Sequence, residues 1–373
     1  MSEICYIVFM SPSDHKTELP AQPGPQVIPV KEIDKNRDPF YKYQEGGYFP
    51  WKASLENRSV EEELSHILGK IPNTDEEQQE RLFGFVQEAM LFASGIYRDS
   101  FESAEELRPV YHGTNPEAGT KMAMEQKTCG HGESVCLTSM IAYVGACIGG
   151  EVKFDEDVFK TLSLAALTHE GIVNRKSDWF SCKNENRAKE KVREFFGDHD
   201  IDEKFFNLIY SLNKFGQTPE TVVKQYLDLF QLQYCDSEKS DEWQEQMRIA
   251  VVYAKCFMFG DWAGQMLNEN YPEAIGCLAS EFSKFKPDAK RAVSYWYNKD
   301  GSINFSLVGT DGDFFEDFAQ PGYEAGMEYA DRFFGGEENN PFHQQVIVLK
   351  RQVERTDRKR RIYERLRPWL DER

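Results

Sequence analysis

The residues of this chain best suited to chemistry lie between Arg108 and Gly150. Tyr111-His112-Gly113-Thr114, read as the end of a strand, sets an imidazole donor beside a glycine. A flat amide ring could approach the main chain there, because no Cβ stands in the way. Thr114 or Asn115 can cap a helix starting at Pro116, whose missing N–H suits a first helical position. Val135-Cys136-Leu137-Thr138-Ser139 then reads as a short strand running into a helix that holds Tyr143. That order of elements lays out a dinucleotide cleft. A second constellation, Asp311-Gly312-Asp313 with Glu316 and Asp317, gathers carboxylates without the spacing of a calcium loop. A solvated acidic turn is its commoner use. Cys129-Gly130-His131 places a thiol and an imidazole in one glycine turn, a poor geometry for a reactive pair. His169-Glu170 lacks the second histidine of a zinc-protease helix and reads as a surface pair. No cysteine pair has metal-ligand spacing, and no metal site is expected.

The elements that would position these residues fall into blocks. Residues 4–10 are rich in β-branched and aromatic types and read as a strand. A proline-rich arm occupies 11–50. Thr74-Asp75-Glu76-Glu77 has the form of a capping box, opening a helix with Leu82, Phe83, Val86, Ala89, Met90 and Ala93 at helical spacing and Gly95 as its stop. From 154 to 287 the pattern is helical, with segments at 154–169, 186–195, 201–215, after Pro219, at about 240–266 and near Pro272. Strand signals return at 292–297 and 302–308, around a hairpin turn at Asn298-Lys299-Asp300-Gly301, and at 345–349. A charged helix closes the chain at 351–373. The economical division is an N-terminal strand, arm and helix (1–105), an α+β domain (106–153 with 288–350), a helical insertion (154–287) and that last helix.

The Tyr-His-Gly-Thr segment, followed by Val135–Ser139 and Tyr143, resembles the nucleotide-binding core of the ADP-ribosyltransferases, in the diphtheria-toxin and poly(ADP-ribose) polymerase branch. The resemblance implies an α+β fold of split antiparallel sheets, here with a large all-helical insertion. It implies NAD as substrate, bound by His112, Gly113, Thr114, Ser139 and Tyr143. His112 would hold the adenosine ribose, and Gly113 the nicotinamide carboxamide through its backbone. The last-strand counterpart of the family's catalytic glutamate is Gln345, with Glu337 and Glu338 in the preceding loop. Two positions depart from the pattern. Cys136 stands where the family has a stacking tyrosine, and Gln345 is an amide. A neutral amide stabilises an oxocarbenium-like state far less well than a carboxylate does. Mono-ADP-ribosylation of a protein acceptor is therefore the expected activity. The alternatives are an ADP-ribose-binding or ADP-ribosyl-hydrolysing protein built on Asp311–Asp317, and an inert interaction module.

Composition narrows the classes. Its 373 residues can bury a large core, and 40% hydrophobic with 29% charged residues is an ordinary globular balance. A net charge of −19 disfavours nucleic acid and anionic membrane as partners. Eight dispersed cysteines suit a reducing, cytosol-like compartment, whether reached directly or by export without an N-terminal signal. No apolar run reaches the ~18 residues of a membrane span.

Overall fold

The computed structural model describes residues 39–102, 109–169 and 241–263, together with 192, 193, 195, 273, 274, 277, 278 and 281. These residues form helices around a single buried one, with a two-stranded antiparallel ribbon beside it. In chain order they are α1 (Pro39–Lys42), β1 (Trp51–Lys52), α2 (Val60–Leu68), α3 (Glu76–Glu102), α4 (Lys121–Met124), β2 (Thr128–Cys129), α5 (His131–Ile148), α6 (Glu156–Thr168) and α7 (Asp241–Met258). A π-helical turn, Phe259–Ala263, continues α7. The ribbon pairs Trp51 with Cys129 and Lys52 with Thr128. No described helix is long and apolar enough to cross a membrane.

Local chemistry sets the helix starts. Ser59 and Glu62 form a reciprocal capping box on α2, each side chain accepting the other's backbone N–H. On α3 the cap is Asp75, whose carboxylate accepts the Gln78 N–H at 2.8 Å. Thr74 instead donates its hydroxyl to the Ile71 carbonyl. Gly95 does not stop α3, which runs on to Glu102. An isolated glycine costs a helix only about 1 kcal/mol, and the burial of Met90, Ala93, Ile96 and Tyr97 around it offsets that.

The largest departure from the sequence expectation is α5. Val135–Ser139 is helical, not a strand, and every residue from His131 to Cys147 is buried. A helix buried on all sides has no polar stripe. Its apolar run is therefore indistinguishable by periodicity from a core strand. Pro116 does not open a helix either: Asn115 accepts the Glu117 N–H in a turn, and Thr120 caps α4. The stretch before His112 is a bend and turn rather than a strand.

Around α5 pack α6, α7 and α2, and α3 packs on α6 and α2, so segments from 1–105, 106–153 and 154–287 share one hydrophobic core. Of the arm, Phe40 and Phe49 belong to that core, and Phe49 meets Trp51 edge-on at 4.8 Å. The helical segments expected at 154–169 and about 240–266 coincide with α6 and with α7 plus the π turn. The strand at 4–10, the helical segments at 201–215 and after Pro219, the hairpin at 292–308, the strand at 345–349 and the last helix lie outside the described residues.

Tyr143 takes a structural post. Its hydroxyl accepts the Asp155 N–H at 2.8 Å and lies 3.2 Å from the Asp155 carbonyl, to which it donates. Asp155 in turn caps α6 by accepting from Asp157 and Val158. Tyr143→Phe should therefore lower unfolding free energy by about 1 kcal/mol through the lost hydrogen bonds to Asp155, read by urea denaturation. Turnover in the folded fraction should be unchanged.

Candidate functional site

Four helix ends and turns bring ionisable groups to one place. His131 is the first residue of α5, His169 follows the last residue of α6, and Asp261 lies in the π turn after α7. His112 sits in the turn before α4. Close backbone approach makes this possible. A Cβ on Gly132 would sit 2.9 Å from the Leu167 carbonyl, so a glycine there lets the start of α5 touch the end of α6. A Cβ on Gly260 would meet the Ser139 hydroxyl and sit 2.7 Å from the Val135 carbonyl. Gly260 thus lets the π turn press onto α5 and set Asp261 between the two imidazoles. Single π turns inside helices recur at functional sites.

Asp261 Oδ1 lies 3.4 Å from His131 Nε2 and 3.3 Å from His169 Nε2. His131 is wholly buried, and among the described residues neither of its ring nitrogens has a hydrogen-bond partner. His169 Nδ1 donates to the Ala166 carbonyl at 2.7 Å, which fixes its tautomer. The expected surface pair at 169–170 is thus corrected for its histidine, which is buried because α6 ends inside the core. Burial pushes the His131 imidazole down to about 4 despite the opposing pull of Asp261. Burial opposes ionisation of Asp261 too, but the two imidazoles beside it hold its carboxyl well below the usual range.

The second half of the site is His112 with Glu281. Glu281 is fully buried, and its Oε2 accepts the backbone N–H groups of Val110 and Tyr111 at 2.7 and 2.8 Å. Its Oε1 accepts a hydrogen bond from His112 Nδ1 at 2.6 Å. A carboxylate with both oxygens so engaged is an acceptor only, so His112 carries its proton on Nδ1 and keeps Nε2 as the basic atom. The His112 side chain is 17% exposed, and its ring stands 5.3 Å from that of His131. Trp51 and Tyr111 form an aromatic wall against His131, at 6.2 and 5.7 Å between rings.

Of the NAD-binding residues that the resemblance implies, His112 reaches this site, as do His131 and His169 from the other motifs. Gly113 is beside it, but its N–H is donated to the Val110 carbonyl and its carbonyl accepts from His131 N–H. Both groups that would grip a carboxamide are engaged within the fold. Thr114 is buried near Gly132. Ser139 is buried against the π turn and Tyr143 in the core. Gln345, Glu337, Glu338 and the Asp311–Asp317 loop lie outside the described residues. Asp261 and Glu281 were missed, since each is an ordinary acidic residue in a helical pattern until the fold supplies its partners.

Two thiols of the described residues are poor nucleophiles. Burial pushes Cys129 and Cys136 well above the ordinary thiol range, which keeps both protonated.

Glu133, two residues into α5 from His131, is a buried carboxyl without that company. Burial pushes it up to about 7 from its ordinary 4.5, against the backbone N–H groups of Glu133 itself, Gly130 and Asn115. Unfolded chain loses this proton near pH 4.5, whereas folded chain keeps it to about 7. Between those values the unfolded state binds fewer protons, so stability falls as pH rises through that window and stays lower above it. The loss is about 3 kcal/mol at pH 8. Glu133→Gln should remove it, gaining on wild type at pH 8 and little at pH 5 in urea denaturation.

No family model, curated protein or solved structure matches this chain.

Proposed function

We propose that the chain is a hydrolase acting on phosphoesters, with its centre at His112–Glu281 and His131–Asp261–His169. The observation that carries this is the His112–Glu281 pair: a buried carboxylate fixes the imidazole tautomer, leaving a basic nitrogen at the only partly exposed ring of the cluster. Tautomer-fixing of this kind is what a general base requires. In the reaction a water oxygen bonds to phosphorus, His112 Nε2 takes the water proton, and the ester P–O bond breaks. The departing oxygen takes a proton from solvent. The His131–Asp261–His169 group stands beside this base, with the His112 and His131 rings 5.3 Å apart. Acyl transfer is less well supported, because the buried thiols are protonated and Ser139 is packed against the π turn.

A second reading is NAD-dependent mono-ADP-ribosylation of a protein acceptor in a cytosolic setting, with Gln345, Glu337 or Glu338 at the scissile bond. It is favoured by one observation: the segment that resembles the ADP-ribosyltransferases contributes His112 to this site. That segment also makes the pyrophosphate of NAD or of an ADP-ribosyl group the first substrate to offer, a phosphoanhydride whose bridging P–O bond breaks by the same attack of water on phosphorus. Incubation with NAD labelled in its adenylate phosphate and a cell lysate separates the two. Labelled AMP is the hydrolase product, and label fixed on a protein is the transferase product. Neither product, together with no hydrolysis of bis(p-nitrophenyl) phosphate, would overturn both readings.

A further inference from the structure

We infer that His131, His169 and Asp261 form a binding site for one divalent first-row transition-metal ion. Each offers one ligand atom, and the three atoms lie within 4.8 Å of one another. The Asp261 Oδ1 distances of 3.3 and 3.4 Å are longer than a charge-assisted hydrogen bond, which runs at about 2.7–2.9 Å. These two of the three separations match the edge of a tetrahedron of ligands, about 3.4 Å for metal–ligand bonds of about 2.1 Å.

Tautomer chemistry leads to the same place. With Nδ1 donating to the Ala166 carbonyl, the neutral form of His169 turns its Nε2 lone pair toward the Asp261 carboxyl oxygen 3.3 Å away. Two electron-rich atoms so close need a positive charge between them. A backbone carbonyl on the far nitrogen is also the usual support of a metal-bound imidazole. His131 adds an independent sign. It is wholly buried, both ring nitrogens lack a hydrogen-bond partner among the described residues, and its Nε2 points at the same oxygen. Burying an imidazole without a partner is costly unless something else takes its lone pair.

Two imidazoles and one carboxylate suit zinc, iron, cobalt or manganese, with positions left for water. Asp261 is 15% exposed, so the cluster opens to solvent on that side. The His112 ring stands 5.3 Å from that of His131. The assignment stands on the three residues alone and does not require the phosphoester reading, because binding is measured without substrate.

The test is equilibrium dialysis of the full chain, stripped with EDTA, against Zn²⁺ and Co²⁺. One ion per chain is expected, with affinity at least about 100-fold weaker in Asp261→Asn and His131→Gln. Affinity should be unchanged in His66→Gln on α2. Absence of stoichiometric binding, or equal affinity in all variants, overturns the site and leaves a proton on His169 as the charge between the two groups. Should the buried variants not fold, X-ray absorption of zinc-loaded wild type decides. Nitrogen and oxygen scatterers alone, at about 2.0–2.1 Å, support the site. Sulfur scatterers at about 2.3 Å would place the ion elsewhere and overturn it.

Discussion

His112→Ala should lower kcat/KM for phosphoester hydrolysis by about 100- to 10,000-fold, the usual contribution of a positioned general base. The fold should survive the change. Glu281 would still accept from Val110 and Tyr111, and the His112 side chain is partly exposed, so little core volume is lost. KM should move far less than kcat, since the imidazole acts on the water and not on the resting ester. The comparison is steady-state kinetics on bis(p-nitrophenyl) phosphate, with circular dichroism and urea midpoints to show that the variant is native. A variant as active as wild type would remove His112 from the chemistry.

Glu281→Gln should cost nearly as much activity, by a different route. The two backbone N–H groups of Val110 and Tyr111 require an acceptor where Oε2 stands, so the amide oxygen must go there. The amide NH₂ then faces His112 Nδ1 and can only donate. That forces the His112 proton onto Nε2 and removes the basic nitrogen, while packing is unchanged. A loss of about 100- to 10,000-fold in kcat with an unchanged urea midpoint is expected. Glu281→Ala is the contrast. It orphans two buried N–H groups at about 1–3 kcal/mol each and should destabilise the chain as well as silence it. A merely structural Glu281 would show stability loss in Ala, native activity in Gln, and no link between tautomer and turnover.

How much of this was legible in the sequence differs from element to element. Helices with a polar face or a cap could be placed, as α3, α6 and α7 show, because periodicity and caps are local signals. Helix α5 could not, since burial on every side erases the periodicity that marks a helix. The error propagated: a helix taken as a strand, next to a turn taken as a strand end, made the Arg108–Gly150 stretch look like a sheet-based cleft. His112 was found because glycine beside histidine is conspicuous. Its partner Glu281 was not, because nothing local marks an acid whose donors lie far away in the chain. His131 and His169 were noticed and then weighed against the wrong neighbours, Cys129 and Glu170. Their common partner Asp261 comes from α7, and only the close approaches at Gly132 and Gly260 bring the three together.

Turnover of the wild-type chain in H₂¹⁸O tests the central claim most directly. With the pyrophosphate of NAD as the substrate, the account expects one ¹⁸O atom in the phosphate of a released mononucleotide per turnover, because water attacks phosphorus. Finding the label on the ribose carbon of ADP-ribose, with free nicotinamide, would show cleavage of the glycosidic bond and contradict it. Absence of ¹⁸O from every product of NAD and of bis(p-nitrophenyl) phosphate would contradict it as well.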